Sequence, residues 1–85
     1  MDSTAAFGKV VSIIKPFVKN AAAFDAAGAG TRIIEDLGVN SARLVDIILA
    51  FEDEFGIEVD DDSADRVRTL GDAVHMILQK TAPAH

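Results

Sequence analysis

Five apolar residues, Leu44, Ile47, Ile48, Phe51 and Phe55, fall at steps of three, one, three and four and stop at Gly56. That spacing places all five on one wide face of an α-helix, with glycine in the usual stop position. A helix with such a stripe must bury it against other elements, and no segment of the chain alternates with the period of a strand. The partners of the stripe are therefore helical. Phe7, Val10, Val11, Ile14, Phe17 and Val18 recur at helical spacing near the start, after Ser3 or Thr4 as a possible cap. Pro16 predicts a kink or an end near Lys15, because it lacks an N–H and clashes with the carbonyl four residues back. Leu70, Ala73, Val74, Ile77 and Leu78 give a last helix its inner face.

The connections are less regular. Residues 19 to 31 are rich in Ala and Gly, and Gly28-Ala29-Gly30 is the clearest breaker, so a long loop is expected there. Ile33, Ile34 and Leu37 are expected to anchor the chain before a turn at Gly38. After the striped helix, Ile57-Glu58-Val59 reads as a short extended piece. Asp60-Asp61-Asp62-Ser63 can then cap a brief third helix around Ala64 to Val67. The predicted fold is all-α: a small four-helix bundle with a long loop after helix 1 and a short third helix. Residues 1–85 are expected to form a single domain, since a chain of 85 residues buries only roughly 60 to 65% of its unfolded surface. That leaves no room for an enclosed catalytic cleft assembled from distant loops.

Charge narrows the partners. Residues 1 to 38 are neutral overall, and the whole net charge of −6 lies in residues 39 to 85. An acidic field of this kind repels nucleic acid and anionic membrane and favours basic protein surfaces. No run approaches the roughly 18 apolar residues of a membrane span. Nothing at the N-terminus reads as a secretory signal, because Asp2 precedes the apolar stretch and Lys9, Lys15 and Pro16 interrupt it. A cytoplasmic monomer is the expectation. The chain has no cysteine, so thiolate metal sites and disulfides are excluded, and any thiol chemistry needs sulfur from a cofactor.

Chemistry converges on one serine. Ser41 follows the Gly38 turn and stands at the first turn of the striped helix, where backbone N–H groups and the helix dipole favour an attached anion such as a phosphodiester. Taken alone, Ser41 reads first as a simple helix cap, and the residues around it shift the balance. As a triad nucleophile it lacks an evident base, since only His75, on the last helix, and His85, at the C-terminus, are available. The run from Asp60 to Asp65 lacks the central Gly and final Glu of an EF-hand loop, which favours helix capping over a built metal site. Ala42, Val45 and Leu49 form a second, thinner apolar line along the helix, flanked by Asp46, Glu52 and Asp53. Such a line can supply contact area while the carboxylates steer a basic partner.

The frame around the serine resembles that of acyl carrier proteins over roughly residues 31 to 80. Glu35-Asp36-Leu37-Gly38 precedes Asn40-Ser41, and Glu52-x-Glu54-Phe55-x-Ile57-x-Val59 follows it at matching spacing. The resemblance implies that Ser41, flanked by Asn40 and Gly38, carries 4′-phosphopantetheine transferred from coenzyme A by a phosphopantetheinyl transferase. It implies a non-enzymatic carrier that holds acyl groups as thioesters in fatty-acid, lipid or related biosynthesis. Synthase or acyl-transferring enzymes with basic docking patches would then meet Ala42, Val45, Asp46, Leu49, Glu52 and Asp53. Leu44, Ile47, Ile48, Phe51, Val67, Ala73, Val74 and Ile77 would line an interior that parts for the acyl chain. Asn40, Ala42 and Arg43 stand where the family commonly has Asp, Leu and an acidic residue. These departures point to a specialised member, with an aminoacyl or peptidyl carrier and an acidic interaction module without prosthetic group as the alternatives.

Overall fold

The computed structural model describes residues 2–81, and His85 lies outside them. Five α-helices follow one another: α1 (Ser3–Ile14), α2 (Ala21–Asp25), α3 (Leu44–Phe55), α4 (Asp61–Asp65) and α5 (Leu70–Thr81). Single 3₁₀ turns at Lys15–Phe17 and Ser41–Arg43 extend α1 and lead into α3. Among the described residues there is no strand, only one isolated bridge between Arg32 and Thr69. The three long helices and short α4 form the expected bundle, and α2 is an addition within the long loop.

Each boundary has a local cause. Asp2, not Ser3 or Thr4, caps α1: its backbone is extended and its carboxylate accepts the Ala5 N–H at 2.8 Å. Pro16 ends α1 at Ile14 and the chain tightens into the 3₁₀ turn, as its missing N–H requires. Asn20 accepts the Ala23 N–H at 3.1 Å and starts α2, a helix that the alanines of this stretch sustain for five residues. Gly56 stops α3 in the left-handed conformation, φ 64°, with its N–H on the Glu52 carbonyl. The third helix begins earlier than the sequence suggested. Asp60 takes the Ser63 N–H at 3.0 Å, so Asp61 and Asp62 form the first turn, where their charge suits the helix dipole, and Val67 lies beyond the helix end.

The core joins α1, α3 and α5, and the first and last helices pack together most extensively. Ala6, Val10 and Ile14 from α1, Ile47 and Phe51 from α3, and Leu70, Ala73 and Ile77 from α5 are fully buried. Ile33, Leu37 and Val39 close one side from the loop, whereas Ile34, expected to anchor with them, is 38% exposed. Adjacent residues of the tight turn after Arg32 point apart, and Ile33 takes the inward position. Lys9 and Glu54 add an exposed ion pair of 3.8 Å between α1 and α3, worth little in water.

The loop is stitched to the start of α5. Ile33 donates to the Arg68 carbonyl at 2.9 Å, Leu70 to Thr31 at 3.0 Å and Gly71 to Ala29 at 2.8 Å. A Cβ at position 71 would stand 2.9 Å from the Ala29 oxygen and 3.2 Å from its Cβ, so the close approach requires glycine. At Gly8, also in a helix, a Cβ would meet nothing within 4 Å. The two positions should therefore respond oppositely to alanine. Gly8→Ala is expected to raise stability by up to about 1 kcal/mol through helix propensity. In Gly71→Ala the same gain is outweighed by overpacking, for a net loss of about 1 to 2 kcal/mol. Urea unfolding of the two variants checks the sign, and a stabilised Gly71→Ala would mean that the loop does not sit on α5.

Three carboxylates stabilise turns and should make the fold acid-sensitive. The Thr69 N–H, then that of Arg68, holds Asp72 below the usual carboxylate range; Thr69 returns the bond, its hydroxyl accepting the Asp72 N–H. Ser63 hydrogen bonds lower Asp60, and the Arg32 N–H followed by its guanidinium lowers Asp36. A folded-state value below the unfolded one stabilises above the unfolded pKa, about 3.9, and the contribution disappears as pH falls through the folded value. Thermal melts should thus lose stability below about pH 4. Asp72→Asn, compared with the parent across that window, should flatten the loss.

Candidate functional site

Gly38 sets the geometry. Its φ of 72° lies in the left-handed region, and the chain reverses there between buried Leu37 and buried Val39. The Leu37 carbonyl accepts the N–H groups of Lys19 and Asn20 at 3.1 and 3.0 Å, pinning the turn to the end of the first helical segment. A bifurcated pair of N–H donors from Asp36 and Leu37 reaches the Arg32 carbonyl at 3.0 and 3.1 Å. Glu35 and Asp36 hold the Arg32 guanidinium at 2.7 and 3.1 Å, so the acids before the turn serve the loop.

Asn40 and Ser41 are thereby delivered to the surface at the head of α3. The capping function belongs to Asn40, whose Oδ1 accepts the Ala42 N–H at 2.9 Å while its carbonyl accepts the Arg43 N–H at 2.8 Å. The Ser41 carbonyl accepts the Leu44 N–H and begins the helix. Its hydroxyl makes no hydrogen bond among the described residues, and the side chain is exposed. A serine freed from capping in this way has only solvent-directed chemistry. None of the groups in the surrounding groove is a histidine, and His75 lies on α5 beside a different groove, so among the described residues no imidazole is placed against Ser41 as in a triad.

From Ser41 an open groove of about 560 Å³ runs between α3 and α4. Leu44, Val45, Ile48, Leu49, Val59 and Ala64 supply apolar wall, with Glu52, Asp61 and Asp65 among the polar lining. An exposed hydroxyl at the mouth and a groove with one apolar wall and an acidic edge beside it can accommodate a tethered arm. Of the residues expected to line an interior, Leu44 and Ile48 border this groove. Ile47, Phe51, Val67, Ala73 and Ile77 are packed in the closed core, and Val74 borders a separate groove with Phe7 and Leu78.

The second apolar line is where the spacing predicts it. Val45 and Leu49 are 63% and 56% exposed, and Ala42 is exposed beside Ser41. The three flanking carboxylates are unequal. Asp46 is paired with Arg43 at 3.1 Å, and Glu52 accepts the Val59 N–H at 2.9 Å, which ties the extended piece after Gly56 back to α3. Asp53 is exposed and makes no ion pair among the described residues. The role of Glu52 in holding the loop, and the groove running to Val59 and Ala64, are invisible to helical periodicity, since they join residues across the Gly56 turn. Among the described residues there is no cluster of potential metal ligands, and no helix is long and apolar enough to cross a membrane.

Comparison with known proteins converges on the same segment. Residues 24–77 match the family model described as the phosphopantetheine attachment site. The acyl carrier protein of Caulobacter vibrioides is 51% identical over 49 residues, 58% of this chain and 63% of that protein, so the chain spans under two thirds of its length. The acyl carrier protein of Sinorhizobium fredii is 47% identical over 53 residues, 62% of this chain and 68% of its own. A solved structure of the acyl carrier protein from Enterococcus faecalis superposes with a TM-score of 0.76 at 30% identity, covering 94% of this chain and 99% of that one.

Proposed function

Because the chain belongs to the phosphopantetheine attachment-site family of carrier proteins, we propose that Ser41 is its attachment residue and that residues 1–85 act as one carrier domain. The observation that carries this reading is the division of labour at the head of α3: Asn40 caps the helix and the exposed Ser41 hydroxyl is left unengaged. The prosthetic group supplies a terminal thiol on which an acyl group is held as a thioester, chemistry that a chain without cysteine cannot provide. The protein's own residues do the rest. Gly38 and Asn40 fix the serine at the surface, and the groove walled by Leu44 and Ile48 offers apolar shelter to a bound chain. The work is that of a carrier in fatty-acid, lipid or related biosynthesis, presenting its cargo to enzymes without catalysis of its own.

Modification is tested by co-expression with a broad-specificity phosphopantetheinyl transferase followed by intact-mass measurement. The expected result is a gain of one phosphopantetheine on a single peptide containing Ser41. A protein that stays unmodified under conditions that fully load another carrier would overturn the assignment and favour an acidic interaction module.

Partner enzymes dock on Ala42, Val45 and Leu49, steered by the carboxylates alongside. The inequality among those carboxylates makes the steering testable. Asp53→Lys should slow association with the transferase several-fold at low salt and leave the melting curve unchanged, as a rim charge does. Glu52→Lys should also lower stability, by about 1 kcal/mol, because the Val59 N–H loses its acceptor. Equal association rates for the parent and Asp53→Lys at low salt would return Asp53 to an ordinary solvated face.

A further inference from the structure

We propose that Arg43 is the counter-cation of the phosphodiester formed at Ser41, and that this pairing withdraws its guanidinium from Asp46. The inference rests on attachment at Ser41 as proposed above. Between Arg32 and Arg66 the chain carries eleven acidic residues, and Arg43 is the lone basic one. It stands two residues after the serine, in the same 3₁₀ turn. A cation in the first turn opposes the helix dipole, so the backbone gives no reason for arginine there. In the unmodified chain its Nη1 lies 3.1 Å from Asp46 Oδ2, with the two side chains 65% and 47% exposed. An ion pair that open to water is weakly held and readily exchanged.

A phosphodiester on the neighbouring serine is a second anion within the same turn, and a guanidinium matches phosphate oxygens in a bidentate fork. Once Arg43 turns to it, the new negative charge is compensated and Asp46 is left uncompensated. The modified carrier then presents a free carboxylate next to Val45 and Leu49 that the unmodified carrier keeps paired. Loading thereby changes the charge of the docking face, and a basic partner meets the two forms differently. Arg43 is in this sense a residue that determines which form a partner recognises.

The test compares four isotope-labelled samples by NMR: the parent and Arg43→Gln, each unmodified and phosphopantetheinylated, with loading verified by mass and folding by circular dichroism. In the unmodified pair, the Asp46 side-chain carboxyl resonance should differ between parent and variant. In the modified pair that difference should vanish, and the ³¹P resonance of the phosphodiester should instead shift on Arg43→Gln. The same Asp46 difference in both forms, or a ³¹P resonance indifferent to the substitution, overturns the pairing while leaving attachment at Ser41 standing. A parent protein that gains no mass overturns the attachment, and the pairing with it.

Discussion

Ser41→Ala should remain folded, melt within about 0.5 kcal/mol of the parent, and gain no mass at all in the presence of a transferase and coenzyme A. The two halves of that expectation have separate causes. Folding is spared because the Ala42 N–H is satisfied by Asn40 and the Ser41 hydroxyl holds nothing, while alanine is a better helix former than serine. Loading should be abolished because Ser41 supplies the only hydroxyl among the described residues that line the groove. Asn40→Ala provides the converse: loss of the cap should cost about 1 kcal/mol while Ser41 stays available. Intact mass and thermal melts of the two variants separate the chemical from the structural residue. Mass gain in Ser41→Ala would show that another hydroxyl carries the group.

Phe51→Ala should have the largest effect on stability, a loss of about 3 to 5 kcal/mol. Phe51 is fully buried on the face of α3 that meets the other long helices, with the Phe55 ring 6.3 Å away at 58°. A domain of this length has a total stability of about 4 to 13 kcal/mol, so the loss is a large share of it and the variant should unfold at much lower urea than the parent. Leu49→Ala, two residues earlier on the same helix and 56% exposed, should change stability by about 0.5 kcal/mol or less. Urea unfolding of the two variants reads the orientation of α3 directly, since a rotation by half a turn would exchange their effects.

That orientation was legible in the sequence because the stripe of α3 obeys the helical period without interruption and ends at a glycine. The same holds for α5, although Met76, inserted among the expected inner residues, is buried too. Legibility failed wherever a decision rested on side chain to backbone hydrogen bonds. Asp2, Ser3 and Thr4 are all acceptable caps, and only the extended backbone of Asp2 settles the choice. In the acidic run any of several aspartates could begin α4, and the bond from Ser63 to Asp60 selects one. The packing of Ile33 rather than Ile34, and the burial of Val39, depend on the pairing of the loop with Arg68 to Gly71, nearly forty residues away. At the site, the position of Ser41 was readable from the turn and the helix start. The release of its hydroxyl by Asn40 and the detention of Glu52 by Val59 were not, because both depend on which acceptor reaches a given N–H first.

The close packing of α1 against α5 bears on how this protein comes into being during translation. Ala6, Val10 and Ile14 find most of their cover in α5, residues that a ribosome adds more than fifty positions later, and the rest in α3. Until then α1 and α3 have only each other to lie on, and part of each apolar face stays wet. Helices of twelve residues are marginal in isolation, so the nascent chain holds the segment around Ser41 in a fluctuating state. A transferase that recognises the folded head of α3 should consequently act only on chains that have reached α5, which would make loading a record of that step.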